Sequence, residues 1–152
     1  MISQRARYAF KALFALVRAN GAIVQSREIA AQEQIPQSFL EQILADLRRG
    51  GLVGSRRGKE GGHFLARDPT RIDCGQVLRL IDGPIAPLPC LSRTAYRRCE
   101  DCRDEARCAV RHLFAEGYAA MITRLEATTL ADAVDRAGGR TSAMDAFVGA
   151  GI

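Results

Sequence analysis

The sequence predicts a mainly α-helical chain with a small β-hairpin wing: a winged helix-turn-helix followed by a long C-terminal dimerisation helix. Three observations predict this class. Apolar residues recur at helical spacing in the first fifty positions, a glycine-rich basic stretch separates two short strand-like runs, and a longer apolar stripe follows residue 104. With 152 residues and 47% apolar content, the chain is long enough to bury a core.

The first three predicted helices have the spacing of a helix-turn-helix. Helix one spans Ser3 to Asn20 and ends at Gly21, and Ser26 caps a short second helix to Gln32. Pro36 resets the backbone before a third helix, Gln37 to Arg49. Its inward-facing residues are predicted to be Phe39, Leu40, Ile43, Leu44 and Leu47.

The first turn of the third helix is predicted to meet base edges in the major groove of DNA. Polar side chains at its outward positions can exchange hydrogen bonds with bases. Three amphipathic helices also occur in proteins that never touch DNA, so this pattern alone leaves both interpretations open. The candidate DNA-binding residues on this helix are Gln37, Ser38, Phe39, Glu41, Gln42 and Arg48.

A β-hairpin wing is predicted after the third helix, with strands near residues 52–55 and 63–66. Its tip carries Arg56, Arg57, Gly58 and Lys59, which we expect to approach the phosphate backbone or minor groove. An ordinary exposed hairpin is the alternative. His63 is expected to be a strand residue without a ligand role.

Net charge supports a polyanion partner for this first half. Residues 1–70 contain 11 Lys+Arg against 6 Asp+Glu, a balance of +5, whereas residues 71–152 contain 11 against 11. A solvated basic face would explain the excess equally well. No apolar run approaches membrane-spanning length and no secretory signal precedes Ser3, so we expect a cytoplasmic protein without a membrane partner.

The winged domain is predicted to span residues 1–83 and to end with one more helix. Asp73 caps this helix, and Cys74 is expected to be a small buried apolar residue in it. Gly83, Pro84, Pro87 and Pro89 then break regular structure. A cysteine-rich loop, residues 84–108, is predicted to follow the last helix of the winged domain.

A long helix is predicted from about Asp104 to Ala127, within a dimerisation segment, residues 104–137. Thr129 caps a last short helix to Arg136, and residues 138–152 are expected to form a loose tail. The broad apolar stripe needs a cover, which we expect to be the same helix of a second copy; packing on its own winged domain is the alternative. The candidate dimerisation residues are Val110, Phe114, Tyr118, Met121 and Leu125.

Four of the five cysteines lie in nineteen positions with the spacing Cys-x8-Cys-x2-Cys-x5-Cys: Cys90, Cys99, Cys102 and Cys108. Four thiolates satisfy an iron–sulfur cluster or structural zinc, although zinc usually favours two Cys-x-x-Cys pairs. The loop's arginines and a helix start near Cys108 would stabilise an anionic cluster, and equally would make bare thiols reactive.

The chain resembles the Rrf family of bacterial winged-helix regulators, the group of IscR, NsrR and RirA, over nearly its whole length. The resemblance rests on Ser3 with Arg7-Tyr8-Ala9, on Ser38-Phe39-Leu40-Glu41-Gln42 with Leu47-Arg48, on Gly51-Leu52-Val53 with Arg57-Gly58 and Gly61-Gly62, on Gly75-x-Val77 with Ile81-Asp82, and on Thr129-Leu130.

This resemblance implies a dimeric regulator of promoter DNA whose three family cysteines, matching Cys90, Cys102 and Cys108, hold an iron–sulfur cluster. Two departures from the family pattern concern the fourth ligand. The histidine of some members falls on Arg111, with His112 next along, and the acidic ligand of others falls on Arg7. We therefore infer an all-cysteine site in which Cys99 fills the open position.

A [2Fe-2S] cluster is slightly favoured over [4Fe-4S], although the spacing fits both. The sequence thus predicts a homodimeric repressor that senses iron, redox state or nitric oxide. A winged-helix regulator with zinc or with cluster-free redox thiols is the alternative. Since no catalytic triad, phosphate loop or carboxylate pair can be recognised, neither an enzyme nor a small-molecule substrate is expected.

Overall fold

A computed structural model describes residues 2–138. Six α-helices and one hairpin follow in the order α1 (Gln4–Arg18), α2 (Ser26–Glu33), α3 (Gln37–Arg49), β1 (Val53–Arg56), β2 (Gly62–Leu65), α4 (Cys74–Asp82), α5 (Ala109–Glu126) and α6 (Leu130–Gly138). The predicted class, mainly α-helical with a β-hairpin wing, is confirmed. The predicted tail beyond residue 138 lies outside the described residues.

The core lies between α1, α2, α3 and α4. Its largest members are Leu13 and Leu16 of α1, Ile29 of α2, and Leu40 and Leu44 of α3, all almost inaccessible to solvent. Residues spaced three and four apart share one face of a helix, so each helix contributes one apolar face. Burial of these faces holds α2 and α3 at a fixed angle to each other, which is the arrangement of a helix-turn-helix.

The hairpin is antiparallel, with Val53 opposite Leu65 and Arg56 opposite Gly62. It is attached to the segment before α2 by two backbone hydrogen bonds between Val24 and His63, of 2.9 and 2.7 Å. A Cβ atom on Gly62 would lie 2.4 Å from the Val24 carbonyl oxygen, so only glycine permits this approach. The wing is therefore joined to the helix-turn-helix at its base.

Two of the predicted helix caps are seen. The Asp73 carboxylate accepts a hydrogen bond of 2.7 Å from the Gln76 N–H at the start of α4. At α6, Thr129 and Asp132 form a reciprocal pair, in which Thr129 Oγ1 accepts from the Asp132 N–H and Asp132 accepts from the Thr129 N–H. Cys74 is buried, as predicted.

Three local predictions are wrong. Gln25, not Ser26, is the N-cap of α2, because its N–H is the group that the Glu28 carboxylate reaches, at 3.1 Å. Phe39 is not in the core but 54% exposed, since helical geometry places it to one side of the buried face formed by Leu40, Ile43, Leu44 and Leu47. The long helix begins at Ala109 and not at Asp104.

The late start of α5 has a local cause. The Asp104 side chain accepts a hydrogen bond from the Ala106 N–H, which bends residues Glu105–Arg107 into a single 3-10 turn. Cys108 follows with extended backbone angles and becomes the N-cap of α5. The last predicted cysteine ligand thus lies at the junction between loop and helix.

Candidate DNA-binding surface and cysteine loop

The outward face of α3 carries all six residues predicted for base contact, Gln37, Ser38, Phe39, Glu41, Gln42 and Arg48, and all are exposed. Gln37 is held in place before any ligand arrives, because its Nε2 group donates to Ser26 Oγ at 3.0 Å and to Glu41 Oε1 at 2.9 Å. The bond to Ser26 joins α2 to α3 on the surface that faces away from the core, and the bond to Glu41 lies within α3.

The wing continues this surface. Arg48 Nη1 donates to Ser55 Oγ at 3.2 Å, which links the last turn of α3 to β1. The predicted wing residues Arg56, Arg57, Gly58 and Lys59 are all exposed. A concavity of about 310 Å³ lies between this cationic hairpin, Arg48 and the start of α2.

The four loop cysteines form two facing pairs. The Cys99 thiol lies near enough to Cys90 to raise its pKa, and the Cys108 thiol lies near enough to Cys102 to do the same. Cys90 is buried, while the other three are half-buried. Among residues 2–138, no three Cys, His, Asp or Glu side chains surround one point where a metal ion could be held. The four-thiolate site therefore stays a prediction.

The surrounding arginines suggest thiols with a lowered pKa, but the structure gives Cys90 and Cys102 a raised pKa. Loss of hydration raises the pKa of the Cys90 thiol, and the facing Cys99 raises that pKa further. Loss of hydration also raises the pKa of Cys102, with a second contribution from Cys108. Nearby Arg111 and Arg98 act in the opposite direction without reversing either shift. Bare Cys90 and Cys102 are thus protonated at neutral pH.

The donor set is of the right kind for an iron–sulfur cluster, since four thiols in two pairs match the four cysteine ligands that such clusters take. The two residues that replace the family's other ligands are engaged elsewhere. Arg111 lies 3.9 Å from the Glu105 carboxylate, and the guanidinium of Arg7 lies 5.8 Å from the ring centroid of Tyr8. The Nε2 group of His112 donates to the Ala106 carbonyl at 2.8 Å.

Polar contacts hold the loop in shape. The Tyr96 hydroxyl donates to the Glu105 carboxylate, whose oxygens lie 2.7 and 2.8 Å away, and this raises the pKa of Tyr96. Arg98 donates to the carbonyl oxygens of Cys102 and Arg103, both at 2.9 Å. Both contacts bridge the region around Cys99, so the position of Cys99 depends on side-chain interactions that water can replace.

Glu126, at the end of α5, joins three parts of the molecule. Its carboxylate forms an ion pair with Arg79 of α4 and accepts a hydrogen bond of 3.3 Å from Arg93 of the loop. Its Cγ lies 3.1 Å from where a Cβ on Gly75 would be, so a side chain at position 75 would press on Glu126. Glu126 thus connects the cysteine loop with the winged domain.

The apolar face of α5 is uncovered in the single chain. Val110 and Leu113 are more than half exposed, and Phe114 and Met121 almost half. Ile122, by contrast, is buried against the rest of the chain. Tyr118 and Leu125, the other two predicted dimerisation residues, are half-buried. The helix therefore packs on its own winged domain along one edge only.

Sequence reasoning overlooked two residues of these surfaces. His63 lines the concavity beside the wing, although its position on a strand suggested no role. Glu126 carries no signal in the sequence, because its partners Arg79 and Arg93 lie 47 and 33 positions away. Ser3 and Asp82, two residues of the family motif, are in contact, since the Ser3 N–H donates to the Asp82 carboxylate at 3.1 Å.

A helix-turn-helix with a cationic wing, joined to a cysteine loop and an uncovered helix, defines a transcriptional regulator of the winged-helix class. The family model for Rrf2, described as an iron-dependent transcriptional regulator, matches residues 2–136. The chain belongs to the Rrf2 family. No helix within residues 2–138 has the length and apolar character needed to span a membrane.

Individual relatives agree with this assignment. An rrf2-like HTH-type transcriptional regulator of Rhodobacter capsulatus is 45% identical over 136 residues, which cover 87% of this chain and 91% of the relative. Among solved structures, CymR, the global cysteine regulator of B. subtilis, has a TM-score of 0.73 at 30% identity and covers 89% of this chain and 96% of its own. IscR of T. potens has a TM-score of 0.70 at 26% identity and covers 94% and 92%.

Proposed function

We propose that the protein is a cytoplasmic homodimeric repressor whose affinity for promoter DNA is set by the state of an iron–sulfur cluster. The observation that carries this proposal is the position of the four thiols. They lie in two facing pairs in the loop that connects the winged domain to α5. A change in this loop acts on both neighbours at once.

Cys90, Cys99, Cys102 and Cys108 would hold the cluster. Two pairs suit a [2Fe-2S] cluster, in which each iron takes two protein ligands. The bound group supplies a centre whose charge and integrity respond to iron supply, oxidants or nitric oxide. Binding requires each thiol to lose its proton, so the protein's own contribution is the cationic surroundings of Arg98 and Arg111.

The winged domain would bind the duplex. In this proposal the exposed first turn of α3 enters the major groove, where Gln42 exchanges hydrogen bonds with base edges and Phe39 contacts thymine methyl groups. Glu41 accepts from cytosine and disfavours a misplaced phosphate. The wing cations neutralise phosphates on the flank, which makes binding strongly dependent on salt.

The uncovered face of α5 would form the dimer. Large exposed apolar side chains along one helix edge gain most when a second, identical face covers them around a two-fold axis. Such a dimer presents two winged domains to a palindromic site. Since Cys108 is the N-cap of α5, the loop lies at one end of the dimer interface.

Glu126 would transmit the change in the loop. Reordering around Cys90 moves Arg93, which shares the Glu126 carboxylate with Arg79, each arginine bonding to a different oxygen. The ion pair with Arg79 holds α5 against α4, so its strength sets the position of the winged domain relative to the dimer helix. A coupling of this kind typically amounts to about 1 to 3 kcal/mol.

The test begins with protein purified without oxygen. Absorption and Mössbauer spectra, together with iron and sulfide counts, identify the cluster and its nuclearity. Cys99→Ser should lower the iron content, whereas Cys74→Ser, outside the loop, should leave it unchanged. A colourless, iron-free preparation from anoxic cells would contradict the proposal, as would superimposable promoter titrations of cluster-loaded and cluster-free protein at fixed salt.

A cluster-free redox regulator is the second candidate, and the two thiol pairs favour it specifically. A small-molecule disulfide such as oxidised glutathione could oxidise each pair to a cystine and leave as two thiols, so that electrons balance. The raised pKa of Cys90 makes this exchange slow. Mass spectrometry of oxidised, iron-free protein separates the candidates, because only this one requires Cys90–Cys99 and Cys102–Cys108 disulfides to alter DNA affinity.

A further inference from the structure

The concavity beside the wing has the composition of an anion site. It has a volume of about 310 Å³, and the side chains that line it include Arg48, Arg56, Arg57 and Lys59. No carboxylate is among its described lining residues. Four cations around one open space repel each other unless an anion shares them.

The start of α2 forms the opposite wall. Gln25 and Ser26 line the concavity there, at the end of a helix where backbone N–H groups and the helix dipole favour negative charge. Glu28 partly occupies this end, since its carboxylate accepts the Gln25 N–H. The helix end therefore adds to the cationic character without supplying a site by itself.

His63 also lines the concavity, and the proposed function gives it no role. Its backbone is fully used by Val24, which fixes the residue next to the concavity. Its Nδ1 atom is buried and has no hydrogen-bond partner among the described residues. Burial lowers the pKa of His63, Arg48 lowers it further, and Glu41 opposes both. The imidazole is therefore neutral in the free protein at neutral pH.

We propose that this concavity, the wing pocket, seats one phosphate of the DNA backbone, and that His63 takes up a proton when the phosphate arrives. The proposal rests on the proposed function in one respect, namely that the winged domain binds duplex DNA. A phosphate offsets the repulsion between Arg48 and a charged imidazole, so the complex stabilises the protonated ring. Promoter binding then strengthens as the pH falls towards 6.

The direction follows from linkage. The free protein has the lower His63 pKa and the complex the higher one, so the complex binds more protons between the two values. Over that interval affinity rises by at most about tenfold for each unit of pH decrease. Arg48 and Glu41 are the charged groups that act on the His63 ring, and Arg56, Arg57 and Lys59 line the rest of the pocket.

The chain offers a matched control, because it contains two histidines. His112 lies on α5, bonded to Ala106, and is distant in sequence from the wing. Fluorescence anisotropy with labelled promoter duplex at constant salt should give wild-type affinity that rises about three- to tenfold from pH 7.5 to pH 6. His63→Gln should have no such dependence, and His112→Gln should keep it.

Wild-type affinity that is flat over this range would overturn the proposal, and so would an unchanged dependence in His63→Gln. Either result leaves the proposed function intact, whereas no binding at any pH would count against the proposed function itself. If His63→Gln fails to fold, NMR titration of the wild-type His63 ring decides the matter. The ring must titrate at higher pH with duplex present, and an equal or lower midpoint would refute the proposal.

Discussion

The winged domain and the cysteine loop differ in the forces that hold them. In the winged domain, interlocking apolar faces bury Leu13, Leu16, Leu40 and Leu44 almost completely. In the loop, residues 84–108, only Cys90 and Ser92 are buried, and arginine and tyrosine side chains tie the backbone together. Regions with few buried apolar contacts open at low free-energy cost, so the loop can change its conformation while the winged domain stays folded.

The largest test of this difference compares one substitution in each region. Leu44→Ala leaves a cavity in the core and should lower the free energy of unfolding by about 3 kcal/mol. Ala95→Gly, at an exposed loop position, should lower it by less than about 0.5 kcal/mol. Urea denaturation followed by circular dichroism measures both. Equal losses would mean that the loop is as tightly integrated as the core.

A second test asks whether α5 belongs to the folding unit or to an interface. Met121→Glu places a charge on the uncovered face and should convert the proposed dimer to monomers, with about a 100-fold loss of promoter affinity because the two winged domains no longer bind together. Thr123→Glu, on the exposed opposite side, is the control. Analytical ultracentrifugation of both variants decides, and a monomeric wild type would refute the interface.

A third test concerns the connection between the two regions. Glu126→Gln keeps the size of the side chain but removes the charge that Arg79 and Arg93 share. The ratio of promoter affinities between cluster-loaded and cluster-free protein should fall about fivefold, towards one. Glu116→Gln, also on α5 and exposed, should leave the ratio unchanged. An unaltered ratio in Glu126→Gln would show that coupling takes another route.

The smallest expected effect is on the stability of the fold in acid, through the Asp132 carboxylate. The Thr129 hydroxyl and N–H bond to Asp132 and lower its pKa, so the carboxylate stabilises the fold above about pH 3.9 and this contribution is lost as the pH falls below that value. Thermal melts of Asp132→Asn should therefore lose less stability on acidification than wild type. Asp135→Asn, exposed on the same helix, should behave as wild type does.

The sequence was most informative where local chemistry decides the structure. The bounds of α3 and the caps Asp73 and Thr129 follow from a proline, paired glycines and short polar side chains, so they could be predicted. The start of α5 could not, because Asp104 closes a local turn that competes with the helix. Phe39 could not be placed either, since it borders the apolar face of α3 and its exposure depends on how wide a face the other helices cover.

The candidate site divides in the same way. Periodicity identified the exposed positions of α3, and the glycine-rich basic stretch between two short strand-like runs identified the wing. The pairing of Cys90 with Cys99 and of Cys102 with Cys108 depends on the path of an irregular loop, which spacing does not encode. His63 and Glu126 acquire their surroundings from segments far away in sequence, so no local pattern could have identified them.

Because α5 is held to α4 near one end, a small rotation of the helix moves its other end by a larger distance. Its 18 residues make a rod about 27 Å long, pinned to α4 near Glu126 and leaving the loop at Cys108. A tilt of about 10° around the pinned end displaces the other end by about 5 Å. In the proposed dimer, a rotation of this size would change the spacing between the two winged domains relative to one turn of the double helix.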